Sequence, residues 1–71
     1  MKRKYELVID GKVICADNVK HSEAINEFEY EIEGYFEMTQ TQFERLYNDF
    51  EPDETGWTAE YEGKIIEIRR A

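Results

Sequence analysis

Cysteine, proline and long apolar runs are scarce in this chain, and each shortage closes off a class of protein. There is one cysteine, Cys15. Small secreted domains are normally stapled by several paired cysteines, so a lone one predicts a reducing, cytoplasmic setting. No apolar stretch is long enough for a membrane span or the core of a signal peptide, and the Lys2-Arg3-Lys4 cluster runs directly into Tyr5-Glu6. His21 is the one histidine and Ser22 the one serine. That is too few for a Ser-His-Asp set, and no ligand spacing suits zinc. No Gly-rich phosphate loop occurs. Neither an enzyme nor a bound cofactor or metal is predicted.

What remains is the composition of a folded protein, with 41% hydrophobic and 14% aromatic residues. Disordered acidic tails lack that aromatic content. The length of 71 residues fits one domain, residues 1–71, with room for a single core and no deep cleft.

Base is scarce too, but only in the middle of the chain. Net charge is −8. Residues 1–20 hold five bases against three acids, and residues 64–71 hold three against one. Residues 21–63 hold thirteen acids against Arg45 alone, a net −12. A field of that sign repels nucleic acid and anionic membranes and attracts basic surfaces.

Two hairpins frame this acidic middle. Tyr5–Ile9 and Lys12–Ala16 are β-rich runs separated by Asp10-Gly11. Such a pair favours a type I′ turn, which needs positive φ at both central residues. A two-residue turn sets Val8 against Val13, Leu7 against Ile14 and Glu6 against Cys15. It predicts a core face of Tyr5, Leu7, Ile9, Ile14 and Ala16, with Glu6, Val8, Val13 and Cys15 opposite. Asp17–His21 reads as a connection. Gly56–Tyr61 and Lys64–Arg70 flank Glu62-Gly63 in the same way, with Tyr61, Ala59 and Trp57 predicted to face Lys64, Ile66 and Ile68.

Between the hairpins the pattern changes. Glu27 to Glu33 alternates strictly, which fits a strand. On a helix, Ala24, Ile25, Phe28, Ile32, Tyr35 and Phe36 fall within an arc of about 120° and the glutamates take the rest. The helical reading accounts for more of the segment. It starts at Ser22 as N-cap and ends near Gly34. As a strand, Phe28, Tyr30 and Ile32 would instead face inward, and the glutamates would form a flat acidic row. A second helix starts at Thr39 or Thr41, either of which fits a capping box. It carries Phe43, Leu46, Tyr47 and Phe50 at helical spacing and stops at Pro52. The expected fold is α+β: a two-layer ββααββ sandwich, its four-stranded antiparallel sheet covered on one face by two helices.

The candidate functional residues all lie in the acidic middle. Glu23, Glu27, Glu29, Glu31 and Glu33 project from the first helix with Tyr30 among them, and Glu37 lies just beyond. Asp49, Glu51, Asp53 and Glu54 crowd the loop around Pro52. That loop does not read as a calcium site: counted from Asp49, Glu54 stands at the sixth position, where an EF-hand loop needs glycine. An ordinary solvated helix intersperses both signs of charge, because like charges four residues apart destabilise. Glutamates retained at Glu27/Glu31 and Glu29/Glu33 therefore point to a basic partner, with Tyr30 as an aromatic anchor. His21 reads as a solvated loop residue, and the basic strand ends (Lys2, Arg3, Lys4, Arg69, Arg70) as edge protection.

A short, acidic, cysteine-poor α+β chain with the runs Glu23–Glu37 and Asp49–Glu54 resembles the small inhibitors encoded by phages and mobile elements. Among these are anti-CRISPR and antirestriction proteins that mimic DNA. The resemblance is one of composition, without a diagnostic motif. It implies a non-enzymatic inhibitor in the host cytoplasm, with its carboxylates standing in for phosphates on a nucleic-acid-binding protein. The alternatives are an oligomer that sequesters a small ligand at a subunit interface, using Val8, Val13, Cys15 and Ile65 on the open sheet face as a homodimer surface, or an accessory subunit of a larger assembly.

Overall fold

Two Xaa-Gly turns set the sheet. Asp10 and Gly11 have φ of 54° and 79°, and Glu62 and Gly63 have 51° and 79°, the doubly positive pair that a type I′ hairpin requires. The computed structural model describes residues 1–71. β1 (Lys2–Ile9) and β2 (Lys12–Lys20) form the first hairpin, and β4 (Gly56–Tyr61) and β5 (Lys64–Arg70) the second. A two-residue β3 (Glu51–Pro52) pairs with β4, so the fold is α+β with a five-stranded antiparallel sheet ordered β2-β1-β5-β4-β3. The sheet has five strands where four were expected, β3 being the addition, and the four long strands come in the expected chain order, two before and two after the helices. The second helix ends at Asp49, ahead of Pro52 as expected, and Pro52 closes the edge strand that Glu51 opens, a place where proline's missing N–H costs no ladder bond.

The second hairpin has the predicted register, with Tyr61, Ala59 and Trp57 opposite Lys64, Ile66 and Ile68. The first does not. Val8 faces Val13 as expected, but a bulge then places Leu7 against Cys15 and Glu6 against Ala16. Ile14 is the extra residue. One inserted residue reverses the side-chain alternation of all that follows. Cys15 therefore packs against the core, while Ile14 and Ala16 are exposed. The gain lies further along: Asp17–Lys20 is strand and not connection, pairing with Lys2–Tyr5, and Val19 is buried. Without the bulge Val19 would point away from the core.

The first arm of the helical layer is built of three pieces. A 3₁₀ turn (His21–Glu23) leads into α1 (Ala24–Glu27), a break at Phe28 follows, and α2 (Glu29–Phe36) continues. Helix, not strand, is thus the outcome for this segment. Ser22 makes no capping hydrogen bond, because the chain enters through the 3₁₀ turn. Nor does the helix stop at Gly34. It runs on to Phe36 and closes at Glu37, whose φ is 54°, with the Met38 amide donating to the Glu33 carbonyl at 3.0 Å. The extra turn brings Phe36 edge-on to Tyr61 with ring centres 5.0 Å apart and buries Met38. That packing outweighs the left-handed strain at a glutamate. α3 (Gln40–Asp49) begins at Thr39 with a complete capping box: the Thr39 amide donates to Gln42 Oε1 at 2.8 Å, and the Gln42 amide to Thr39 Oγ1 at 3.2 Å.

One core joins the layers. Tyr5, Leu7, Ile9, Ile66 and Ile68 from the sheet meet Ala24, Phe28, Ile32, Phe43 and Leu46 from the helices. Of the predicted inward arc only Tyr35 is exposed. No helix is long and apolar enough to cross a membrane.

Candidate functional site

The glutamates of the first helical arm fall into two groups once the backbone is placed. Glu23, Glu27, Glu29 and Glu33 surround one shallow depression of about 350 Å³ together with Asn26 and Tyr30. Tyr30 is 84% exposed. It was the one aromatic out of phase with the buried arc, and the break at Phe28 leaves it pointing outward among the acids. Glu31 lies apart from this group, close enough to Cys15 for its charge, after burial, to help push the thiol up from its ordinary value. Glu37 is exposed at the left-handed helix end.

Glu29 and Glu33 lie one turn apart on α2, and their carboxyls interact directly. Burial raises the Glu29 carboxyl above the usual range, and a hydrogen bond to Glu33 and that residue's charge raise it further. One Glu33 oxygen, Oε2, is buried with no donor in the structure. This is the repulsion anticipated for a like-charge i,i+4 pair. Glu27 and Glu31 are not such a pair, since the break at Phe28 separates them into different helices. Glu29 also borders the groove between the two helical arms, about 420 Å³ in volume, beside Gln40, Phe43, Glu44 and Tyr47.

The other predicted acids lie elsewhere. Asp49, Glu51 and Asp53 line a separate hollow at the β3 edge and share no lining residue with the first depression. The first arm packs over β2, with Glu31 beside Cys15, and β3 is the opposite edge of the sheet. Asp53 is moreover committed to its own loop. Its Oδ1 accepts from the amides of Thr55 (2.9 Å) and Gly56 (2.7 Å) and from the Thr55 hydroxyl (3.3 Å), and its Oδ2 from the Thr58 hydroxyl (2.6 Å). The Thr58 bond, then those to Thr55 and Gly56, hold this carboxyl below its ordinary value. Four donors leave it little capacity for a partner.

All ion pairs lie outside the acidic segment. Lys64 meets Asp10 at 3.7 Å, and Arg69 meets Glu6 at 3.3 Å and Glu67 at 3.7 Å. Every carboxylate between His21 and Gly63 lacks a cationic partner within the chain. No three His, Cys, Asp or Glu side chains converge as metal ligands.

His21 is more engaged than its position in the sequence suggests. Its Nδ1 lies 2.7 Å from the Tyr5 hydroxyl, and its ring lies over Trp57 with centres 4.6 Å apart. No local signal could reveal this, because Tyr5, His21 and Trp57 come from three distant stretches. The basic strand ends also differ from expectation. β5 is an interior strand with Arg70 opposite Tyr5, so edge protection does not account for the charge of Arg69 and Arg70, whereas Lys2–Lys4 extend past the end of the β1–β5 ladder.

Comparison with family models, with curated proteins and with solved structures finds no match to this chain.

Proposed function

We propose that this protein is a non-enzymatic inhibitor that docks its acidic helical face on the basic site of a nucleic-acid-handling protein. Phage or mobile-element origin and action in the host cytoplasm go with that reading. One observation carries it: Glu23, Glu27, Glu29 and Glu33 are grouped around an exposed Tyr30 without a single cationic partner in the chain. A small domain gains nothing internally from such a group, whereas a surface of guanidinium and ammonium groups would neutralise it. Carboxylates spaced along a helix can occupy the places of backbone phosphates, with Tyr30 filling a pocket between them.

The test is competition. Labelled duplex DNA bound to restriction or CRISPR nucleases is challenged with the protein and followed by fluorescence anisotropy. Displacement from one such enzyme is expected, falling steeply as salt rises. Reversing Glu23, Glu27, Glu29 and Glu33 to Lys is expected to weaken it by about a hundredfold or more, with circular dichroism unchanged. Undiminished displacement by the folded variant overturns the reading. The oligomeric alternative has less behind it, because Val8 is buried, Cys15 faces the core, and only Val13 and Ile65 of its four residues are exposed.

A further inference from the structure

A second cavity, of about 520 Å³, opens at the end of the sheet where β1 begins and β5 ends, and Arg3, Tyr5, His21, Asp53, Glu54 and Arg70 line it. We propose that it binds a phosphoryl group carried by a small molecule. The topology assembles it. Arg3 and Tyr5 stand two residues apart on β1, and Arg70 is the cross-strand partner of Tyr5, so all three share the helix-bearing face. Tyr5 is buried beneath that face, while Arg3 and Arg70 lie further out and are exposed. His21 closes one side from the start of the helical arm, backed by Trp57.

Two features point to an anion. Arg3 and Arg70 form no ion pair in a chain of net charge −8, although Arg69 next to them forms two. Two free guanidinium forks on one cavity are the donors that bind phosphate oxygens in pairs. Then there is His21. The Tyr5 hydroxyl lies 2.7 Å from His21 Nδ1, and when Tyr5 donates there the imidazole carries its N–H on Nε2. A phosphoryl group has three terminal oxygens to share among two guanidinium groups and one imidazole N–H. A carboxylate has two. Of the acids in the lining, Asp53 is turned into its own loop by its four hydrogen bonds but keeps its charge, so Asp53 and Glu54 both oppose an incoming anion and the two guanidinium groups must offset them.

Trp57 is the sole tryptophan and touches His21, so its fluorescence reports on the site. The protein is titrated separately with inorganic phosphate, phenyl phosphate and sodium acetate at constant ionic strength, with parallel amide and imidazole chemical shifts. Saturable changes at Trp57 and His21 are expected with a phosphate and not with acetate. Saturation by inorganic phosphate alone assigns free phosphate as the occupant, and tighter saturation by phenyl phosphate assigns an organic phosphomonoester. Replacing both Arg3 and Arg70 with Ala, at exposed positions that leave the core intact, is expected to weaken binding by about tenfold or more. No saturable change with either phosphate, an equal response to acetate, or full binding by the folded double variant would overturn the proposal. These readouts do not involve the acidic helix, so the outcome is independent of the inhibitor reading.

Discussion

The acidic arm, Glu23 to Glu37, and the acidic loop, Asp49 to Gly56, look alike as strings of letters and behave oppositely as structures. In the loop a carboxylate is surrounded by donors. Asp53 ties together Thr55, Gly56 and Thr58, and its proton affinity falls. In the arm a carboxylate is surrounded by other acids. Glu29 faces Glu33, one oxygen of which is buried without a donor, and its proton affinity rises. The difference teaches that density of negative charge does not mark a binding surface. What distinguishes the two is whether the chain supplies the counter-donors itself. Where it does, the acid is part of the fold. Where it does not, the acid is held at a cost that only something outside the chain can offset.

The sharpest way to break this comparison is one substitution made in both regions. Gly56 carries the loop, donating its amide to Asp53 and accepting from the Asp53 amide at 2.9 Å. A Cβ there would overlap the Ile68 carbonyl across the ladder. Gly56→Ala is expected to destabilise by about 3 kcal/mol, seen as a lower midpoint in urea. Gly34, inside α2, has open space where a Cβ would go. Gly34→Ala is expected to stabilise by about 0.5–1 kcal/mol, because alanine loses less backbone entropy in a helix. Equal signs for the two would mean that the loop yields and Gly56 is not an anchor.

Next in size is Asp53 itself. Asp53→Ala removes acceptors for two backbone amides and two hydroxyls, with an expected cost of about 1–3 kcal/mol at pH 7. The folded carboxyl titrates below its unfolded value. Its contribution is therefore fully present above the ordinary aspartate range and is lost as pH falls through the depressed folded value. Thermal melts of wild type and variant are expected to converge only in strong acid.

The smallest effect belongs to the arm. Glu29→Gln removes one charge of the half-buried Glu29/Glu33 pair and is expected to stabilise by about 0.2–0.5 kcal/mol at pH 7, solvent screening keeping the effect small. The sign of the pH dependence is opposite to that of Asp53. A carboxyl whose folded value is raised binds its proton more tightly in the native state, so wild-type stability improves as pH falls through that value. The advantage of the variant is expected to shrink from pH 7 towards the ordinary glutamate range. A constant advantage across that range would show that charge repulsion is not its source.

Much of this was legible in the residues. Local chemistry with one satisfying conformation reads directly. Asp10-Gly11 and Glu62-Gly63 specify their turns, Thr39 with Gln42 specifies a cap, and Phe43, Leu46 and Phe50 specify a buried stripe. The alternation of Glu27 to Glu33 also resolved as helix, because only on that period does Ile25 reach the core with Phe28 and Ile32 while Tyr30 is left outside. Glu23, Glu27, Glu29 and Glu33 lie on the outer face as that period expects, but Glu31, expected with them, is placed apart beside Cys15.

What sequence could not supply was anything decided by a distant competitor. Gly34 is the better helix terminator locally, but Phe36 had to reach Tyr61, so the helix ends at Glu37. Ile14 is the better core residue locally, but burying Val19 and Cys15 required a bulge, and Ile14 was turned out. Asp53 and Glu29 are both acids in acidic stretches, and only the placement of Thr58 and Glu33 beside them made one a structural tie and the other a surplus charge. The sequence by itself determined the turns, the caps and which segment would be helical, since these depend on backbone preferences within a few residues. Tertiary structure alone decided which carboxylates have partners, and that Arg3, Tyr5, His21 and Arg70 share a cavity, because donors and acceptors are matched across the sheet and not along the chain.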